Sequence, residues 1–84
     1  MEVELSAKAA RQWKRLLRNP ALLARLDGAL DLIASEPYLG KLLGGEFPEV
    51  RSLRVGDWRI LYKVFPKRRL VVVLSIADRK EVYH

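Results

Sequence analysis

Residues 1–5 alternate, with Met1, Val3 and Leu5 against Glu2 and Glu4. This is the period of a short strand with one buried face, and the acids suit a sheet edge. From Ala7 the period lengthens. Ser6 is a good N-cap, and Ala10, Trp13, Leu16 and Leu17 then form one stripe, with Lys8, Arg11, Lys14, Arg15 and Arg18 around the rest of an amphipathic helix. Asn19-Pro20 closes this helix and opens a second, since Asn suits the N-cap and Pro the first helical position. Leu23, Leu26, Leu30 and Ile33, widened by Leu22 and Ala29, carry the second stripe to about Ser35. So short a connection predicts an antiparallel helical hairpin. Glu36-Pro37 stops the second helix, because the residue before a proline is pushed out of the α region. Residues 38–48 then read as a loop, pinned to the core at Leu39, Leu42 and Leu43 and most mobile at Gly44-Gly45.

From Val50 onward the period is two, which predicts strands near 50–55, 58–65 and 70–77. Gly56-Asp57 fits a two-residue hairpin turn with Gly at its first central position, and Pro66-Lys67-Arg68-Arg69 forms the next turn. The first turn fixes a register in which Val55 faces Trp58, Arg54 faces Arg59 and Leu53 faces Ile60. One side of the ribbon then carries Leu53, Val55, Trp58, Ile60 and Tyr62, and the other Arg54, Arg59 and Lys63. In the last strand Leu70, Val72, Leu74 and Ile76 are expected on the helix side. Val71, Val73, Ser75 and Ala77, continued by Arg79, are expected on the side of the arginines. The fold class that follows is α+β in the order strand, helix, helix, three strands, with an antiparallel curved sheet and a two-helix hairpin on one face. The opposite face is left open and basic.

Composition narrows this picture. Eighty-four residues, half of them hydrophobic, make one domain (1–84) with one core. The absence of cysteine leaves packing as the stabilising force and fits a reducing, cytoplasmic setting. No apolar run reaches a membrane span and no secretory signal is visible, so no membrane association is expected. The net charge is +6, and it is unevenly placed: residues 48–84 hold nine Lys/Arg against four Asp/Glu, residues 1–47 seven against six. Arg54 opposite Arg59 is a destabilising like-charge pair unless something negative lies between them, so the ribbon points to a phosphate-bearing partner.

Were that partner an RNA cut without a metal, the reaction would need help in deprotonating a 2′-OH, positive charge on the developing phosphorane, and a proton or charge for the leaving 5′-oxygen. The only histidine is His84, which excludes a two-histidine mechanism, and with no cysteine the chain suggests no metal site or cofactor. What remains is a set of fixed cations. Arg59, in mid-ribbon, is placed to grip phosphate oxygens bidentately. Arg54, Lys63, Arg51 and His84 are candidate RNA or phosphate contacts. Arg51 has the opposite parity and needs a bulge to join them.

The segment Pro37-x-x-Gly40-Lys41-Leu42-Leu43-Gly44, the run Leu53-Arg-Val-Gly-Asp-Trp-Arg-Ile-Leu-Tyr62 and the closing Asp78-Arg79-Lys80-Glu81-Val82-Tyr83 resemble the RelE/ParE superfamily of small toxins, over nearly the whole chain. The resemblance implies a toxin of a type II toxin-antitoxin module, held in hetero-oligomers by a cognate antitoxin. RelE-like members cut mRNA in the ribosomal A site, whereas ParE-like members poison DNA gyrase. The expectation is the RelE-like activity, a ribosome-dependent mRNA endonuclease, with the gyrase inhibitor as the alternative and a non-toxic binding module as a third. The resemblance implies Arg59 as the phosphate-stabilising residue, Arg79 on the leaving-group side and Tyr83 in acid-base work or stacking. His84 is the other acid-base candidate. An ordinary tyrosine titrates near 10, so a basic role for Tyr83 requires neighbouring arginines to lower it. RelE-like nucleases usually carry further basic residues just before the Leu-Arg-x-x-x-x-Arg segment; here those positions are Val50 and Ser52.

Overall fold

The computed structural model describes residues 1–78. Five strands and two helices follow in the order β1 (Glu2–Leu5), α1 (Ala7–Leu16), α2 (Pro20–Ser35), β2 (Lys41–Gly44), β3 (Phe47–Val55), β4 (Trp58–Phe65) and β5 (Leu70–Asp78). The helix ends form where the sequence signals them. Ser6 Oγ accepts from the Ala9 N–H at 3.1 Å, Asn19 Oδ1 accepts from the Leu22 N–H at 3.2 Å, and Pro20 occupies the first turn of α2. Ser6 also joins α1 to the sheet, since its own N–H donates to the Val73 carbonyl at 2.9 Å and its hydroxyl to the Leu74 carbonyl at 3.0 Å.

The strands form one sheet in the order β1-β5-β4-β3-β2. Two features depart from the expected four-stranded antiparallel sheet. First, β1 runs parallel to β5, with Val3 opposite Val71; parallel neighbours need a long crossover, and the whole excursion from α1 through β4 supplies it. Second, the stretch expected as a loop contains β2, an edge strand antiparallel to β3 with Lys41 opposite Ser52. The Gly44-Gly45 pair, expected to be mobile, ends β2 and enters the Gly45-Glu46 turn with φ values of 71° and 57°, and Gly44 faces Phe47 across that turn. Leu39, Leu42 and Leu43 do not pin this segment, being 50, 48 and 42% exposed. Strand pairing and a buried tyrosine hold it instead.

The core lies between the helices and one sheet face. Leu16, Leu26, Ala29 and Ile33 from the helices meet Ile60, Tyr62, Val71, Val73 and Ile76, with Leu53, Val55, Trp58 and Trp13 packed around them. Burying each large aliphatic side chain is worth about 1.5–3 kcal/mol. Leu17, expected in the α1 stripe, caps the helix and is exposed.

In β5 the expected alternation fails at one residue. Leu61 pairs with Ser75 and Tyr62 with Val73, so Leu74 is bulged out of the β4 ladder. One extra residue reverses parity, and Val71 and Val73 therefore join Ile76 in the core cluster, while Leu70 is buried outside that cluster and Val72 is half-buried. Where β1 ends, α1 takes over the exposed edge of β5: the Ile76 N–H donates to Gln12 Oε1 at 2.7 Å, and Gln12 Nε2 lies 3.4 Å from Ser75 Oγ. Among the described residues no helix is long and apolar enough to cross a membrane.

Candidate functional site

The sheet face away from the helices is built by register. Gly56 has φ 62°, open to glycine without strain, and the turn it makes places Val55 opposite Trp58, Arg54 opposite Arg59 and Leu53 opposite Ile60. The like-charge pair inferred from the hairpin is thus present. Ala77 continues its row on β5, so a small residue lies beside Arg59. Arg54 is exposed and its Nε donates to the Gly56 carbonyl at 3.0 Å, which draws its guanidinium towards the turn. Arg59 is half-buried in mid-sheet.

The neighbouring row runs Lys41, Ser52, Leu61, Ser75 across β2, β3, β4 and β5. The two rows open onto a recess of about 360 Å³ lined by Lys41, Leu42, Leu43, Ser52, Arg54 and Arg59. Among the described residues its lining holds three cations and no carboxylate, so it is suited to an anion. Lys41 was not among the candidates drawn from the sequence, because it fell in a stretch read as loop. The signal available was Gly44-Gly45 before Phe47, a hairpin turn that implies a strand on either side.

The other candidates are placed differently. Arg51 stays on the helix-face parity, opposite Tyr62, because β3 and β4 pair without a bulge from residue 50 to 63. Its Nη1 donates to the Tyr38 carbonyl at 3.0 Å and the Gly40 carbonyl at 2.8 Å, and its guanidinium lies 5.1 Å from the centre of the Tyr38 ring. It therefore clamps the segment leading into β2 and does not line the recess with Arg54 and Arg59. Lys63 has the expected parity but also stands outside the recess. Its Nζ is 2.8 Å from Glu49 Oε2 and 5.3 Å from the centre of the Phe65 ring. The hydrogen bond and charge of Lys63 hold the Glu49 carboxyl below the usual carboxylate range. Arg79, Tyr83 and His84 lie outside the described residues.

Beneath the recess, Tyr62 is fully buried and its hydroxyl accepts from the Gly40 N–H at 2.8 Å. Burial pushes its phenol up from the ordinary value, opposed by the Gly40 hydrogen bond and the Arg51 charge. With Arg51 on its carbonyl, Gly40 is held through both backbone groups, and the next residue is Lys41.

A helical hairpin on one face of a five-stranded sheet is a fold shared with solved toxins of toxin-antitoxin modules. The toxin-antitoxin complex RelBE2 from Mycobacterium tuberculosis contains a chain 30% identical to this one, with a TM-score of 0.81 over 93% of this chain and 96% of that one. The isolated RelE toxin of E. coli shares the fold at 23% identity, with a TM-score of 0.79 over 98% of this chain and 89% of that one. The YoeB/ParE toxin from Agrobacterium tumefaciens shares it at 15% identity, with a TM-score of 0.82 over 93% and 98%. No curated protein sequence matches the chain. The model of the ParE toxin of type II toxin-antitoxin systems, parDE, matches residues 3–83, and the chain belongs to that family. It is a type II toxin of the RelE/ParE superfamily.

Proposed function

We propose that this toxin is a ribosome-dependent mRNA endonuclease that works by metal-free attack of a 2′-OH on the adjacent phosphate. The observation that carries this reading is the recess in which Arg54, Arg59 and Lys41 converge with no carboxylate among the described lining residues. In the reaction the 2′-oxygen forms a bond to phosphorus, its proton leaves to a base, and the bond from phosphorus to the 5′-oxygen breaks as that oxygen takes up a proton. Arg59 stabilises the negative charge that builds on the non-bridging oxygens. Arg54 grips the backbone. Arg79 serves the leaving oxygen and Tyr83 the proton transfer, with His84 as the other acid-base candidate; these three roles rest on the closing Arg-x-Glu-Val-Tyr segment of the sequence. The partner in the resting state is an antitoxin, in keeping with relatives solved as RelBE toxin-antitoxin complexes.

A second reading, a gyrase-inhibiting toxin without nuclease activity, is favoured by the ParE family match and by Val50 and Ser52 standing where RelE-like nucleases are basic. Induced expression followed by mapping of mRNA 5′ ends separates the two. New ends within translated codons, lost on Arg59→Ala, are the expected result. Growth arrest with intact messages and blocked DNA supercoiling would reject the nuclease.

A further inference from the structure

Lys41 sits directly across from Ser52, and cross-strand partners present their side chains on the same face with Cβ atoms about 5 Å apart. Ser52 is itself uncharged, so the cation of this pair stands on β2. We propose that Lys41, reaching in from the sheet edge, is a phosphate contact of the Arg54-Arg59 recess, with a single-stranded RNA phosphodiester as the ligand. The inference rests on reading this face as an RNA site.

Three observations on this chain carry it. Lys41 lines the recess with Arg54 and Arg59, so the three charges act on one volume of about 360 Å³. Lys41 forms no ion pair among the described residues, in contrast to Lys63, whose ammonium is taken up by Glu49. Its backbone is also fixed in advance, because Gly40 beside it donates to the buried Tyr62 hydroxyl and accepts from Arg51. A lysine on a long stem has flexible reach. Anchoring its root at the sheet edge restricts that reach to the recess and to solvent, and holding the group in place before the ligand arrives lowers the ordering cost of binding.

The test is fluorescence anisotropy of a labelled single-stranded RNA oligonucleotide with the whole protein across a series of salt concentrations. Lys41→Ala is expected to weaken binding about threefold to tenfold and to reduce the slope of log K against log salt by about 0.7, one phosphate contact on a single strand. Lys41→Arg should retain both. Adding Ser52→Lys to Lys41→Ala should restore both, since the new charge stands in the same row of the same face. Lys8→Ala removes one charge from an exposed position on α1 and should leave the slope unchanged. Unaltered binding and slope in Lys41→Ala, an equal fall in Lys8→Ala, or no RNA binding by the parent protein would each overturn the inference. The nuclease reading fails separately. A parent protein with a Lys41-dependent slope that leaves ribosome-bound mRNA uncut rejects the nuclease and keeps the phosphate contact. Cleavage with a slope indifferent to Lys41 does the reverse.

Discussion

Replacing Gly40 by Ala would place a Cβ 2.5 Å from the Tyr62 hydroxyl oxygen, 2.8 Å from Cε1 and 2.9 Å from Cζ. Separations below 3.0 Å cannot persist, and Tyr62 is fully buried with no solvent side to retreat to. Either the ring or the β2 edge must move. Overpacking of this kind costs about 1–3 kcal/mol. The movement also breaks the hydrogen bond from the Gly40 N–H, and a buried polar group left unpaired costs about 1–3 kcal/mol more. The expected loss is about 2–6 kcal/mol, a large part of the ~5–15 kcal/mol that holds a domain folded. Urea unfolding followed by tryptophan fluorescence measures it. Tyr62→Phe alone should lose about 1–2 kcal/mol, because it orphans only the Gly40 N–H. Combined with Gly40→Ala it removes the closest of the three clashing atoms, so the double variant should be about 1 kcal/mol more stable than the sum of the single losses. A Gly40→Ala protein within about 0.5 kcal/mol of the parent, or strict additivity in the cycle, would refute the claim that this glycine is required by close approach to Tyr62.

Other perturbations test the remaining supports. Gln12→Leu leaves the buried Ile76 N–H without its acceptor and should cost about 1–3 kcal/mol, with accelerated hydrogen exchange at that amide as the specific sign. Gly56→Ala forces a left-handed conformation on a side chain and brings its Cβ to 2.9 Å from an Arg25 guanidinium nitrogen. The flexible arginine can yield, so the loss should be the backbone cost of about 1–2 kcal/mol in a urea midpoint. Tyr62 titrates above the ordinary value of 10.0 in the fold, so the neutral phenol is the form the core accepts. Above pH 10 the unfolded chain releases a proton that the folded chain retains, and stability should fall as pH rises from there. Tyr62→Phe should lack that share of the alkaline decline in urea midpoints measured up to pH 11; an identical decline would refute the burial argument.

Caps and turns made much of this protein legible. Ser6, Asn19-Pro20 and Glu36-Pro37 act through local backbone hydrogen bonding and sterics, so the helix limits could be read from them directly. Gly56-Asp57 fixed the β3-β4 register, and with it the facing of Arg54 and Arg59, because turn geometry sets pairing over its own short range. The failures were non-local. The bulge at Leu74 is imposed by α1, whose Ser6 takes the Leu74 carbonyl and whose Gln12 takes the Ile76 N–H, and no run of apolar residues in β5 announces it. Parity counted along that strand was therefore reversed in its first half. β2 was hidden for a related reason: Leu42 and Leu43 are half-exposed on a sheet edge, and their spacing cannot distinguish an edge strand from an anchored loop. Missing β2 meant missing Lys41. Arg51 showed its parity in the sequence, but its partners are the carbonyls of Tyr38 and Gly40, which only the folded chain brings within reach.

In the proposed reaction the Arg59 guanidinium stabilises the transition state of RNA cleavage, and single-turnover kinetics on ribosomes programmed with a defined message measure that role. The purified toxin should cut the message within the A-site codon. A folded Arg59→Ala protein should lose at least about 10²-fold in rate, the scale on which one oriented donor to a developing oxyanion acts. Uncut message with the parent toxin, or a rate unaffected by Arg59→Ala, would show that Arg59 has no such role. Inhibition of gyrase supercoiling by the same preparation in place of cleavage would identify the other activity of the superfamily as this protein's own.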